Sequence, residues 1–231
     1  MIATKTPSVA SVRRALAIIE TVAHVNDMTV SGISRKIHAP KSSTHTILLT
    51  LERSGFLRRD VRTGHYSLGL KIFDLVSLGH GETDLREQAR PYLLNLAAQT
   101  KLTAHLAVLD GDQMVYVDKA ESPGLVKMNT WIGRRIDAHC TALGKVLLAH
   151  LPTPQFDQLF KFKALTRRTP RTIVAKEALR REMQKIRAHG YAVDDEECGT
   201  GVRCIASGVF DNEAKAVVAI GVSGTTAQIP R

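Results

Sequence analysis

Between Ser11 and Ala23 the apolar residues Val12, Leu16, Ile19 and Val22 recur every three or four positions, the spacing that lines one face of a helix. A shorter helix is predicted over Val30–Ile37, ended by a turn at His38-Ala39. The segment after Pro40 opens with six polar residues, Lys41-Ser42-Ser43-Thr44-His45-Thr46, and becomes apolar only at Ile47, Leu48 and Leu51. Pro40 suits a first helical position, where its missing N–H would have no partner anyway. After Gly55, Phe56-Leu57-Arg58-Arg59 and His65-Tyr66-Ser67-Leu68 predict two short strands around Asp60–Gly64, a hairpin with glycine late in its loop. Three helices and a hairpin in this order predict a winged helix-turn-helix. The last of its helices would hold a polar, cationic N-terminal end out to a DNA major groove.

The pattern changes character further on. Leu70–Leu78 reads as a linker helix closed by Gly79-His80-Gly81, and Asp84–Thr100 as a longer helix with Leu85, Ala89, Tyr92/Leu93 and Leu96 on one side. His105–Leu109 and Met114–Val117 form a predicted hairpin around Asp110-Gly111-Asp112, and Leu125–Asn129 adds a strand. Helices over Thr141–His150, Gln155–Phe160 and Lys176–His189 precede strands over Tyr191–Val193, Val202–Phe210 and Ala216–Val222. Antiparallel hairpins mixed with helices predict an α+β, sensor-like domain. The expected organisation is a DNA-binding domain over 8–69, a linker helix over 70–82 and a second domain over 83–231.

Charge sharpens the first half. The net charge is +10, and eleven Lys and Arg fall in the first 75 positions against five Asp and Glu. A basic excess centred on a helix-turn-helix fits a polyanionic partner, double-stranded DNA. Lys36, Lys41, Ser42, Ser43, His45 and Thr46 are the candidate contacts around the reading helix. Arg13, Arg14, Arg58, Arg59 and Arg62 are candidates for phosphate contacts, which outnumber base contacts in such complexes. Taken alone, each of these residues is also ordinary on a solvated helix start or hairpin. No apolar run approaches the roughly 18 residues of a membrane span, and MIATKTPSVASVRR lacks the apolar stretch of a secretory signal. A cytoplasmic protein with no membrane partner is expected.

The second half carries the more specific motif. From Gly190 the chain reads GYAVDDEECGTGVRCIASGVFD, with Asp194, Glu197, Cys204-Ile205-Ala206 and Val209-Phe210-Asp211 at set intervals. Gly133, His139-Cys140-Thr141-Ala142-Leu143-Gly144-Lys145, Pro40-Lys41-Ser42-Ser43, Gly55-Phe56-Leu57 and Tyr66-Ser67-Leu68-Gly69 accompany it. These motifs, in this order, resemble the IclR family of bacterial transcription regulators over roughly Val9 to Gly224. The resemblance implies a winged helix, a linker helix and a GAF/PAS-like domain whose antiparallel sheet is flanked by helices. It also implies a small organic effector, often a carboxylate, and a homodimer or dimer of dimers. Carried over residue by residue, the family's effector positions fall on Leu125, Met128, Ala142, Leu143, Asp194, Val202, Cys204, Gly221 and Ser223. Ala142 and Leu143 lie at a helix start, whose free N–H groups suit an anion. Leu125, Met128, Val202 and Cys204 are equally the apolar residues of an ordinary core.

Some positions depart from the family pattern. His38-Ala39 replaces Gly-Leu in the turn, and a positive φ there would cost His more than Gly. Gly32 inside the short helix is expected to destabilise it by roughly 1 kcal/mol relative to Ala. Thr46 stands where an arginine is common. Gly221 replaces a frequent serine, which implies a wider pocket and an effector bulkier or more apolar than a two- or three-carbon acid. The sequence given ends at Arg231, where the family continues into another helix, so the expectation is either a natural chain that continues beyond this point or a sheet face without its cover.

Other chemistries are weaker. In isolation Asp194-Asp195-Glu196-Glu197 suggests paired catalytic carboxylates or a hard-metal site, but no second carboxylate cluster or nucleophile elbow accompanies it, and salt bridges to groups such as Arg203 explain it more simply. His139, Cys140, Cys198 and Cys204 lack zinc-ligand spacing, and buried free Cys is a common small hydrophobe. No metal, cofactor or catalytic residue is therefore expected, and the acids beside Cys198 are expected to raise its thiol pKa. Two alternatives stay open from sequence: a metal- or redox-sensing regulator on the same scaffold, and a GAF-like enzyme with a vestigial winged helix.

Overall fold

A computed structural model describes residues 8–25, 27–78, 80–121, 127–213 and 216–230. The chain divides into two compact units, with the boundary between Thr83 and Asp84.

The first unit contains α1 (Ala10–His24), α2 (Val30–Lys36), α3 (Lys41–Arg53), β1 (Leu57–Arg59), β2 (Tyr66–Leu68) and α4 (Lys71–Leu78). Its core is Ile18, Val22, Ile33, Leu48, Leu51, Leu57 and Tyr66, with Ala15 and Ile19 packed alongside. The buried stripe of α1 is thus rotated from the one the sequence suggests: Val12 and Leu16 are more than half exposed. Two stripes of helical spacing cross at Ile19 and Val22, and only packing against α3 and β2 selects between them. Thr29 caps α2 by accepting the N–H of Gly32 at 3.3 Å. His38 does adopt a positive φ, +51°, and Ser34 Oγ donates to the carbonyl of Ala39 at 2.7 Å across the turn. Pro40 is the N-cap of α3, one position before the first helical residue where the sequence places it. Its carbonyl takes the N–H of Thr44 at 3.0 Å and the hydroxyls of Thr44 and Ser43 at 2.9 and 3.1 Å.

The expected helix stop at Gly79-His80-Gly81 is not present at its described positions: His80 and Gly81 already begin α5 (His80–Thr100), and Gly79 lies outside the described residues. The remaining elements are β3 (Thr103–Asp110), β4 (Gln113–Ala120), β5 (Arg135–Asp137), α6 (Ala142–Ala149), α7 (Thr153–Phe160), α8 (Lys176–His189), β6 (Tyr191–Asp195), β7 (Val202–Phe210) and β8 (Ala216–Thr225). The six strands form one antiparallel sheet in the order β5-β4-β3-β8-β7-β6. A strand over Leu125–Asn129 is not seen in its described part: Lys127 to Asn129 are irregular, and Leu125 and Val126 lie outside the described residues. The sheet's edge is instead β5, too short to carry an alternation of its own.

Strand alternation divides the sheet into two faces. Leu93 and Ala97 of α5 cover Ala104, Leu106, Ala120 and Val218 on one side. Tyr92, expected on the packed side of that helix, is 71% exposed, because the stripe runs through Leu93. On the other face α6, buried along its whole length, packs against Ala107, Met114, Tyr116, Ala192, Ala206 and Ala219. The small residues of β6, β7 and β8 let this helix lie close to the sheet. Gly144 permits the tight corner into α6, since a Cβ there would sit 2.4 Å from the backbone of Ala138.

Candidate functional site

In the first unit, the exposed positions of α3 are Lys41, Ser42, His45, Thr46, Thr50 and Arg53, one side of the helix opposite the buried Thr44, Leu48 and Leu51. Ser43 is half-buried and its hydroxyl is used within the helix start, so Ser42 and His45 are better placed to meet a base edge. Thr46 Oγ1 bonds back to the carbonyl of Ser42 at 3.2 Å. The hairpin pairs Leu57 with Leu68, Arg58 with Ser67 and Arg59 with Tyr66. Its loop is fixed by Asp60, whose Oδ1 accepts the N–H groups of Arg62 and Thr63 at 2.8 and 2.9 Å; these bonds hold the carboxyl below its usual pKa. Arg58, Arg59 and Arg62 are exposed, as are Arg13, Arg14 and Lys36 on the helices. The unit therefore presents a polar helix end and a cationic hairpin, the parts with which a winged helix holds a duplex.

In the second unit, one cavity of about 230 Å³ gathers Met128, Ala142, Leu143, Asp194, Val202, Cys204, Gly221 and Ser223. Eight of the nine positions carried over from the family thus border one space, and Leu125 lies outside the described residues. Pairing explains the convergence: Asp194 faces Cys204 across β6–β7, and Cys204 faces Ser223 across β7–β8. Thr141 caps α6 by accepting the N–H of Gly144 at 3.1 Å, which leaves the N–H groups of Ala142 and Leu143 outside the helix's own bonding. Asp194 Oδ1 accepts the N–H groups of Glu197 and Cys198 at 2.7 and 3.2 Å, so Oδ2 is the oxygen available to a ligand. Burial raises the Asp194 carboxyl to about 6.

Gly221 does border the cavity, but not in the way expected. A Cβ there would lie 2.5 Å from the carbonyl oxygen of Ile205 and 2.8 Å from Ala206 Cβ, so glycine serves a close approach of β7 and β8. It does not widen the pocket, and the inference of a bulkier effector from this residue fails.

Sequence reasoning missed Tyr116, Thr130, Arg134 and Cys198, which also line the space. Tyr116 stands on the cavity side of β4, a signal present in the alternation. Arg134 stacks over Trp131 at 4.7 Å and donates to the carbonyl of Asn129. Behind the wall lies His105, fully buried, with Nε2 2.9 Å from Thr130 Oγ1 and Nδ1 3.4 Å from Ser223 Oγ. Desolvation lowers its pKa to about 4, so the ring is neutral at pH 7.

The acidic run splits by role. Asp195 pairs with Arg203 at 2.6 Å and Arg171 at 2.8 Å, and Glu196 with Arg171 at 3.1 Å, in line with the salt-bridged reading. Glu197 is instead buried against Lys145, itself fully buried, whose Nζ also donates to the carbonyl of Val193 at 2.6 Å and lies 3.4 Å from Glu182. Burial raises Glu197 to about 7, with Lys145 pulling the other way. Cys198 is lowered, not raised as its acidic neighbours suggested: the neighbouring Cys140 thiol is the largest cause, and Arg168 and Arg134 add to it against burial and Asp194, while the Cys140 thiol itself donates to the carbonyl of Asp137 at 3.3 Å. His139 Nε2 is held by the carbonyl of Thr166 at 3.1 Å, and among the described residues no three His, Cys, Asp or Glu gather as a metal site. No helix among them is long and apolar enough to cross a membrane.

Residues 80–231 match the bacterial transcriptional regulator IclR C-terminal family, and residues 11–61 the IclR helix-turn-helix domain. The chain is 35% identical over 227 residues to the HTH-type transcriptional regulator XynR of Escherichia coli, covering 96% of this chain and 89% of that protein. It is 30% identical to the transcriptional repressor IclR of the same organism, covering 97% and 83%. Among solved structures, an IclR of Thermotoga maritima superposes with TM-score 0.75 at 30% identity, over 94% of this chain and 88% of that one. An IclR homologue of Microbacterium hydrocarbonoxydans, complexed with 4-hydroxybenzoate, superposes with TM-score 0.83 over 94% and 89%; at 23% identity it speaks for the fold alone.

Proposed function

The chain belongs to the IclR family of bacterial transcriptional regulators, DNA-binding proteins with a C-terminal ligand-binding domain, and from that premise we propose an operator-binding regulator that responds to a small organic acid. One observation carries the effector reading. One partly enclosed cavity is bordered by the N-terminal end of α6, a carboxylate with one oxygen not used by the backbone, and a serine hydroxyl. The acid's carboxylate sits on the N–H groups of Ala142 and Leu143, where helix dipole and unpaired donors both favour negative charge. Tyr116, Ile136 and Met128 supply the apolar wall, and Arg134 supports the anion from the mouth. The protein acts in the cytoplasm as a homodimer or dimer of dimers, and the acid shifts its population between DNA-binding arrangements through differential affinity for them. A thermal-shift screen of small carboxylates tests this, because a ligand of the folded state raises its melting temperature. No shift with any acid, in a protein that binds its operator, overturns the effector assignment.

On the DNA side, Ser42, His45 and Thr46 read bases, while Arg58, Arg59, Arg62, Arg13, Arg14, Lys36 and Lys41 hold phosphates. His45→Ala is expected to lower affinity for the operator about tenfold while leaving affinity for random DNA nearly unchanged, from the ~1–3 kcal/mol typical of a base contact. Arg62→Ala is expected to weaken both alike and to flatten the salt dependence of binding. Gel shifts over a salt series measure both. Equal losses on operator and random DNA from the two changes would take α3 out of the reading role.

A thiol-sensing version of the regulator has one observation in its favour, Cys198 on the cavity wall with its thiol pKa lowered beside Cys140. Operator affinity that is unchanged after mild peroxide treatment removes it.

A further inference from the structure

The two hydroxyls that His105 touches, Ser223 and Thr130, both border the cavity, whereas the imidazole itself stands behind them. A neutral imidazole has one N–H and one bare nitrogen, so it donates to one of these hydroxyls and accepts from the other. A hydroxyl that gives its proton to the ring can only accept from a ligand. One that receives the ring's N–H keeps its own proton to give.

One tautomer suits the surroundings of both hydroxyls. Thr130 Oγ1 lies 3.5 Å from the carbonyl of Met128, which can only accept and so gives the threonine proton a place to go when Nε2 carries the ring proton. The proton between His105 and Thr130, 2.9 Å apart, is then the one on Nε2. In that tautomer Nδ1 is bare, and the Ser223 hydroxyl 3.4 Å away, which also neighbours Cys204, can give it its proton. The ring is held for this task by Tyr116, 4.8 Å away between centroids, and it is kept neutral chiefly by burial, with Lys119 adding to the effect and Glu121 opposing it.

We propose that His105 is a positioning residue that fixes Ser223 as a hydrogen-bond acceptor toward the cavity, so that the site selects acids carrying a hydroxyl donor besides their carboxylate. This rests on the acid-binding reading above and makes it more specific. Asp194 Oδ2 works in the same sense, since an ionised carboxylate also only accepts. The sheet wall of the cavity therefore asks for donors, and the α6 end asks for an acceptor. A plain fatty acid satisfies the helix end but brings no donor to the cavity-facing oxygens of Ser223 and Asp194, and sites built for hydrogen bonding reject analogues that lack the partner. A hydroxy acid satisfies both ends.

Two measurements on the full chain test this. Nitrogen-15 NMR of labelled histidines reads the tautomer directly, with His105→Phe assigning the signal; Nε2–H with bare Nδ1 is expected, and an Nδ1–H ring overturns the proposal. Calorimetry then compares acids matched in carbon number, lactate with propionate and gluconate with hexanoate. In the better-binding pair the hydroxylated acid is expected to bind at least tenfold more tightly. That ratio falls to near one in Ser223→Ala and in His105→Phe. A wild-type ratio near one overturns the role of His105 and leaves the acid site standing. Binding of none of the four acids, by a protein that still binds operator, overturns the acid site itself. Should His105→Phe fail to fold, the binding ratio of the wild type against Ser223→Ala still decides the matter.

Discussion

Ala142→Trp is expected to abolish the response to acids while leaving operator binding within about twofold of the wild type. Ala142 is 1% exposed, borders the cavity and stands at the first position of α6, beside the N–H groups assigned to the carboxylate. An indole placed there takes up much of a space of about 230 Å³, and the ligand loses both room and donors. Overpacking of this kind typically costs about 1–3 kcal/mol, which a domain with its own core can survive. The residues proposed to contact DNA lie in the other compact unit, so their geometry does not depend on this substitution. Thermal shift with the best acid and a gel shift with and without it are the two readouts. A variant that folds and still releases or engages DNA in response to the acid removes this cavity from the signalling role.

Lys145→Met is expected to destabilise the C-terminal unit by about 3–5 kcal/mol at pH 8, the cost of leaving one partner of a buried ion pair charged and alone. Lys145 is fully buried and joins α6 to Glu197, to Glu182 on α8 and to the Val193 carbonyl of β6, so its loss is felt in three elements. The pH dependence has a definite sign. In the wild type, Glu197 is raised by burial to about 7 from 4.5, so the folded state holds its proton more tightly than the unfolded chain. Stability from this group is present below about pH 4.5 and is lost as pH rises through 7. Asp194, raised to about 6, acts in the same direction over a lower window, while His105, lowered to about 4, acts oppositely as pH falls below 6.5. Between pH 8 and 6.5 the Glu197 contribution dominates among these three, and the wild-type melting temperature should rise on acidification. Without Lys145, which pulls the glutamate's pKa down, the window moves to higher pH and part of the loss is recovered by pH 6. Glu197→Gln should flatten the slope over this range. Melting curves of the three proteins at pH 6, 7 and 8 measure it, and parallel curves would mean that Glu197 does not titrate in the folded state.

Much of this molecule is legible in its sequence, and the legible parts share a physical origin. Helix α8 coincides with the predicted Lys176–His189 because its apolar residues Leu179, Met183 and Ile186 sit at helical spacing and Gly190 stops it with φ +81°. The wing is legible because Asp60 and Gly64 are the residues its turn requires. Those signals lie within a few residues of one another, where local backbone geometry governs. The motif after Gly190 named the cavity's residues through family resemblance, without which Val202 and Cys204 read as ordinary core.

What the sequence left undecided depends on partners far away in the chain. Nothing local distinguishes Val12 from Ile18 on α1, because a helix with two apolar stripes is turned by whatever core it meets. Gly221 read as an opening in the pocket, and only the register with Ala206 reveals that backbone already fills that space. His105 looked like one more residue of a strand until the sheet brought it to Ser223, 118 positions away, and the irregular segment before Gly133 brought it to Thr130. Likewise Lys145 and Glu197 are two unremarkable charges 52 residues apart, made into a buried pair by the packing of α6 on the sheet. The sequence determined the elements, the winged helix and the family, because periodicity, caps and turn residues act locally. The tertiary structure decided which polar groups are buried together, and hence the polarity of the cavity, because hydrogen bonding and desolvation depend on distance in space.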